Sequence, residues 1–240
     1  MHFVGREKEI GQIKKALAEG MNVIVSGKYG MGRTTLIRHI AETTEDRWRF
    51  LFVDFSRTPG EVCSDLLGQL FPERRSEHRQ MSYRSSRFRL TALPLSDRRK
   101  QILVLDSIAK LSYQKLDLLR CLTWEKRFQF VSIVERFLPA EDLFRLRVRM
   151  NPAILLTLHY LNLSEVAQFY RELSEVHGLG WTEERIQHLA EVTGGYPLRM
   201  KEIALRELAV PSERKRISSS SHGFSVKTTP VSGKGKEKKS

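Results

Sequence analysis

The residues best suited to chemistry lie together in Gly27-Lys28-Tyr29-Gly30-Met31-Gly32-Arg33-Thr34-Thr35. Closely spaced glycines let a chain turn so that successive N–H groups point inward, and a helix opening directly afterwards adds the positive end of its dipole. Such a loop cradles phosphate oxygens. The spacing follows G-x-x-x-x-G-K-[ST], in which the hydroxyl of the last residue, here Thr34, reaches magnesium. There is one departure: Arg33 stands at the lysine position. An ammonium is a compact point charge that reaches terminal phosphates, whereas a guanidinium is broad, planar and suited to a two-pronged contact. Phosphate binding tolerates that exchange better than hydrolysis does. The competing reading of the same residues is a glycine-rich strand-to-helix turn with no ligand. A second carboxylate element is needed to hold magnesium through water, and Leu103-Val104-Leu105-Asp106, an apolar run ending in Asp106, is the candidate. By itself such a run is equally a simple strand end.

These residues need a scaffold, and the hydrophobic pattern supplies one. Glu7 to Glu19 has helical spacing and stops at Gly20. Met21 to Val25 reads as a strand entering the glycine loop, and Thr34 to Glu42 as the helix leaving it. Further strands are expected over Phe50 to Phe55, Gln101 to Asp106, Phe128 to Val134 and Ala153 to Leu158. Helices are expected over Gly60 to Leu70, Leu111 to Trp124 and Ala140 to Leu146. Nearly continuous apolar strands alternating with helices predict a parallel sheet covered on both faces. Beyond Tyr160 only helical patterns remain: Ser164 to His177, Thr182 to Val192 and Leu198 to Leu208. This divides the chain into an α/β domain over 1–160, a small all-helical lid over 161–210, and a basic tail over 211–240 expected to lose order at Pro211.

The chain has 240 residues and a net charge of +13, and two stretches hold all of that excess. Segment 74–100 carries nine cations against Glu77 and Asp97, and segment 211–240 carries eight against two. A neutral body with two concentrated basic elements is the footprint of a polyanion partner, nucleic acid first. In the internal stretch Arg84, Arg87, Arg89, Arg98, Arg99 and Lys100 are the candidate contacts, with Tyr83 and Phe88 offering stacking faces. A solvated arginine face, and a merely solvated tail, are the alternatives.

The order of elements resembles a known family. Phe3-Val4-Gly5-Arg6-Glu7 is similar to the apolar-apolar-Gly-Arg-Glu box of AAA+ ATPases of the origin-recognition and archaeal-ATPase type, and of the related STAND ATPases. The glycine loop takes the Walker A place and Leu103 to Asp106 the Walker B place. Gly195-Tyr196-Pro197 resembles their Gly-x-Pro lid signature. The resemblance covers about Phe3 to Leu208. It implies a P-loop NTPase fold with a helical lid, and ATP and Mg2+ as cofactors. Adenine would lie near Val4, Gly5 and Pro197, phosphates on Gly27 to Thr35, and the metal on Thr34 and Asp106. Hydrolysing members carry glutamate after the Walker B aspartate; here the residue is Ser107. Ser132 or Glu135 would stand at the sensor position, and Arg136, Arg145, Arg147 or Arg149 could act as an arginine finger or a DNA contact. Lys28 resembles the signature lysine of deviant Walker A ATPases and could substitute for the missing one.

The function expected is therefore a nucleotide-dependent switch with weak or no hydrolysis, associated with nucleic acid and able to self-assemble or to bind a protein. The alternatives are a DNA- or RNA-binding module with a vestigial loop, and a signalling ATPase with a protein partner. Other chemistries find little support. The seven histidines are scattered singly, and Cys63 and Cys121 lack metal-ligand spacing. Trp48, Trp124 and Trp181 read as packing anchors. No leader pattern opens the chain and no run of about 18 apolar residues occurs, so a cytoplasmic setting without a membrane is expected.

Overall fold

The computed structural model describes residues 3–74, 77–78, 81–92, 97 and 99–220, with side chains described as far as residue 209. Five strands, β1 (Asn22–Gly27), β2 (Trp48–Asp54), β3 (Lys100–Ile108), β4 (Phe128–Val134) and β5 (Ala153–Leu158), form one sheet in the order β2-β3-β4-β1-β5. Every pairing is parallel. Parallel strands need crossovers, and helices supply them: α1 (Glu7–Ala18), α2 (Arg33–Glu42), α3 (Pro59–Leu70), α4 (Tyr83–Ala92), α5 (Tyr113–Trp124) and α6 (Ala140–Arg149). Then follow α7 (Leu163–His177), α8 (Glu183–Thr193) and α9 (Pro197–Ser220).

The strands read as continuous apolar runs because both faces are covered. Along β1, Val23 and Val25 pack beneath α1 and α2 with Ile13, Leu17, Leu36 and Ile37, while Ile24 faces the other way. On β3, Ile102 and Val104 share the first core, and Leu103 and Leu105 share the second with Leu66, Leu67, Leu118 and Leu119. This alternation is the two-residue period of a strand, read against two hydrophobic layers instead of one. Helix starts follow local chemistry. Thr58 and Glu61 form a reciprocal capping box on α3, Asn162 and Glu165 do the same on α7, and Thr182 caps α8.

Two boundaries differ from the sequence reading. The Arg-rich stretch contains a helix, α4, packed on α3 and α5; its weak apolar stripe, with Ser86 and Leu90 buried, hides the helical period. Helix α9 runs on past Pro211, where the composition shifts. A single proline removes one backbone donor, and the described helix continues to Ser220. Residues 221–240 of the expected tail lie outside those described. The chain divides into two compact units, Met1–Lys201 and Glu202–Ser240. The first contains the sheet together with α7 and α8; the described part of the second is the remainder of α9.

Leu105 is fully buried and immediately precedes Asp106. Leu105→Ala is expected to cost about 2–5 kcal/mol of unfolding free energy, read from urea denaturation with an unchanged m-value.

Candidate functional site

In a parallel sheet the carboxyl ends of the strands share one edge, where residues distant in sequence meet. Here that edge carries the glycine loop after β1, Asp106 near the end of β3, Glu135 after β4 and His159 and Tyr160 after β5. Gly27 ends β1, Gly32 caps α2, and Arg33, Thr34 and Thr35 form its first turn. The N-cap of α2 is Gly32, so no N-cap side chain takes up its first N–H groups. The Thr34 hydroxyl donates to Asp106 Oδ2 at 3.0 Å and lies 3.2 Å from Oδ1, and the Ser107 N–H donates to Oδ1 at 2.8 Å. Ser107 itself adopts a left-handed conformation (φ 62°) at an irregularity in β3.

These oxygens suit a hard divalent cation. A hydroxyl and a carboxylate oxygen 3.0–3.2 Å apart are groups of the kind that hard divalent cations take as ligands. Among the described residues no group of three His, Cys, Asp or Glu side chains converges, so no site held by protein ligands alone competes with it.

Arg33 is placed differently from a phosphate-binding lysine. Its side chain is buried and turns to the end of β4, donating to the Val134 carbonyl and to Glu135 Oε2 at 2.7 Å. The motif cation is therefore neutralised inside the protein. The positive groups that line the loop's own cavity, of about 230 Å3, are Lys28 and Arg136, beside Gly27, Met31, His159 and Tyr160. The Lys28 ammonium donates to the Tyr160 hydroxyl at 3.0 Å and sits 4.9 Å from the ring centroid. Ser132, the other sensor candidate, is fully buried in β4, and its hydroxyl has no partner.

The loop is held by the middle residue of the lid signature, to which the motif assigned no role of its own. The Tyr196 hydroxyl donates to the Tyr29 carbonyl at 2.9 Å. At Gly30 (φ 75°) a Cβ would lie 2.5 Å from that same hydroxyl and 2.8 Å from Leu198 Cβ, so only glycine admits the contact. Gly195 is equally constrained, because a Cβ there would lie 2.0 Å from the Leu161 carbonyl oxygen. Tyr196, flanked by the quoted Gly195 and Pro197, was the available signal. Pro197 itself is half-buried and opens α9.

Arg6, also buried, donates to the His159 carbonyl at 2.8 Å, the Met31 carbonyl at 3.3 Å and Glu9 at 3.0 Å. Its N–H donates to Glu165 at 3.0 Å, and Gly5 lies against the same carboxylate. The Gly-Arg-Glu box thus clamps loop, β5 end and α7 together. Val4 is half-buried, Met31 buried, and Tyr29 and Thr35 exposed. Nearby, Asp54 ends β2; its carboxyl is held below the usual range chiefly by the Ser56 hydroxyl, against burial. Burial lowers the Lys115 ammonium, which donates to the Phe55 and Ser56 carbonyls.

The basic stretch does not present its charges freely. Arg87 pairs with Asp117 at 2.6 Å, Arg89 with Glu77 at 3.7 Å, and Arg99 with Asp97 at 2.6 Å, while Lys100 donates to the Leu17 carbonyl at 3.3 Å. Arg99 holds the Asp97 carboxyl at about 2, so that pair stays ionised at neutral pH. Arg84 is exposed on α4; Arg98 lies outside the described residues. Trp48 is a core anchor as expected, but Trp124 is 81% exposed, which corrects its reading as one. Among the described residues no helix is long and apolar enough to cross a membrane.

Residues 2–134 match the family described as the AAA ATPase domain. No curated protein matches the sequence. Among solved structures, the chain is similar to the Orc1 protein of Aeropyrum pernix in complex with DNA (TM-score 0.61, 18% identity, covering 90% of this chain and 62% of that one). It is also similar to Cdc6p from Pyrobaculum aerophilum (0.62, 15%, 93% and 70%). A third likeness is to the Thermotoga maritima RuvB Holliday junction branch migration motor (0.55, 16%, 85% and 62%). At these identities the likeness establishes the fold, an α/β P-loop NTPase. The chain spans about three fifths of the Aeropyrum and Thermotoga proteins.

Removing one partner from a buried ion pair strands the other charge. Glu135→Gln should therefore cost about 3–5 kcal/mol in urea unfolding, and Arg33→Met combined with Glu135→Leu much less. Equal costs for the single and double variants would show that the pair does not anchor α2.

Proposed function

Because the chain belongs to the AAA ATPase domain family, we propose that it binds an adenine nucleotide with Mg2+ in the glycine loop, as a switch with weak or absent hydrolysis. The observation that carries this reading is the hydrogen bond from the Tyr196 hydroxyl to the Tyr29 carbonyl. It joins the segment leading into α9 directly to the loop that would hold phosphates. A change in loop conformation on filling is felt at Tyr196, and through Gly195 and Leu161 at the start of α7, where Glu165 already holds the Arg6 N–H.

Thr34 and Asp106 would hold the cation, which when bound neutralises phosphate charge and fixes its orientation. The hydroxyl–carboxylate bond between them is the interaction it replaces. Lys28 and Arg136 face the cavity and supply the positive charge that Arg33, engaged with Glu135, does not. Ser107 brings no carboxylate with which to orient an attacking water, and its N–H is already spent on Asp106. Retention of the nucleotide is thus better served than its cleavage. The Aeropyrum Orc1 structure contains DNA, and association with nucleic acid is the partner reading we favour for this chain.

Titration of the full chain with fluorescent ATP and ADP analogues should give saturable binding strengthened by Mg2+. In Thr34→Val the Mg2+ effect should disappear; if neither analogue binds the native chain, the switch reading fails. Arg33→Lys combined with Ser107→Glu should raise phosphate release about tenfold or more. Turnover unchanged in that double variant would place the defect elsewhere.

A further inference from the structure

The opposite edge of the sheet, where strands begin, carries a groove of about 720 Å3. It opens between the starts of β1 and β3, the turn from α5 into β4, and the segment linking α6 to β5. Lys100, Lys126, Arg127 and Arg149 line it, and no carboxylate does. Lys100 is oriented by a neutral group, the Leu17 carbonyl. A carbonyl fixes a cation without cancelling its charge, unlike Asp117 on Arg87 or Asp97 on Arg99. Lys126 is exposed and held in a left-handed turn (φ 50°), a conformation uncommon outside glycine and asparagine. Asn151 adds a side-chain amide to the wall.

At one end of the groove stands Trp124, 81% exposed. Large aromatics are seldom left so open without a partner for the ring face. Trp124 also borders an adjoining cleft lined by Arg87, Arg120, Cys121, Asp117 and Glu125, where carboxylates accompany the cations and the acid-free lining ends. At the other end Arg149 also lines a third cleft, with the exposed rings of Tyr113 and Phe144. The acid-free groove, with Trp124 at its border, makes a basic track at the edge where the strands begin.

We infer that this track binds single-stranded nucleic acid. Phosphates are matched by Lys100, Lys126 and Arg149, whose binding releases counterions. Trp124 offers a stacking platform, which only an unpaired base can use, because in a duplex both faces of an internal base are covered. That selects single strands over duplex, and over an acidic peptide, which has no comparable flat ring to stack. The track lies at the far end of the strands from the glycine loop. The inference therefore stands independently of the nucleotide reading.

The test uses the full chain with fluorescein-labelled 20-mers of dT and of U, a 20-bp DNA duplex, and polyglutamate. Anisotropy is read at several salt concentrations, and tryptophan emission with unlabelled strands. The expected result is binding of one or both single strands at least tenfold tighter than duplex or polyglutamate, with tryptophan quenching; the dT and U arms distinguish DNA from RNA. Trp124→Ala should weaken binding about tenfold. Trp124→Phe should retain most affinity while removing the quenching. Lys126→Ala combined with Arg149→Ala should lower the salt slope by about 1.4, roughly 0.7 per lost phosphate contact on a single strand.

Wild-type affinity in both Trp124→Ala and the double variant would overturn the assignment, placing any binding on the other basic segments. So would equal affinity for duplex or polyglutamate, or no binding of either single strand. Self-association abolished by Trp124→Ala, with no nucleic-acid affinity, would assign the track to a second copy of the chain and overturn it equally.

Discussion

The ion pair of Arg33 with Glu135 decides what the glycine loop can offer. A cation at the first turn of α2 would normally project over the loop; here it is drawn under it, to the carbonyl end of β4. Taking a guanidinium out of water is costly, and the carboxylate together with the Val134 carbonyl is what makes it tolerable. In return α2 is tied to the middle of the sheet by charge as well as by Leu36 and Ile37. The loop keeps its amides and loses its customary counter-charge, and Lys28 and Arg136 become the cations at the cavity wall.

From that constraint the rest of the edge follows. The Thr34 hydroxyl is hydrogen-bonded to Asp106, and the residue that follows is Ser107, not a second carboxylate. Arg6 reaches under the loop to the Met31 and His159 carbonyls, so the box before α1 works as a clamp. Glu165 serves twice, closing the cap of α7 and accepting the Arg6 N–H, which ties the helical segment after β5 to the N-terminus. Tyr196 completes the enclosure. The contacts of Arg6 with Met31, His159 and Glu165, and of Tyr196 with Tyr29, bridge elements that are far apart in the chain.

The two edges of the sheet have opposite electrostatic logic. At the strand ends, Arg33 is paired with Glu135 and Arg6 with Glu9, while Lys28 and Arg136 line the cavity. At the strand starts, cations line a groove without carboxylates, and an open tryptophan stands among them. The count of charges along the chain pointed to segment 74–100. Folding then spends Arg87, Arg89 and Arg99 on nearby acids and sets Lys100 beside Lys126 and Arg149, which no sequence window contains together.

Much of the fold was legible beforehand. Continuous apolar strands alternating with helices require a parallel sheet with two covered faces, and the glycine spacing ahead of Thr34 places a strand-to-helix turn at the end of the first strand. These are local or periodic properties, written in residue type and distance along the chain. What the chain alone left open was direction and partnership. Whether Arg33 faces a ligand or Glu135, whether Trp124 is core or surface, and whether Tyr196 touches the loop depend on which strands and helices become neighbours. The strand order β2-β3-β4-β1-β5 sets those neighbours. It is decided by the packing of both faces at once, a sum over contacts between distant residues that no stretch of sequence contains.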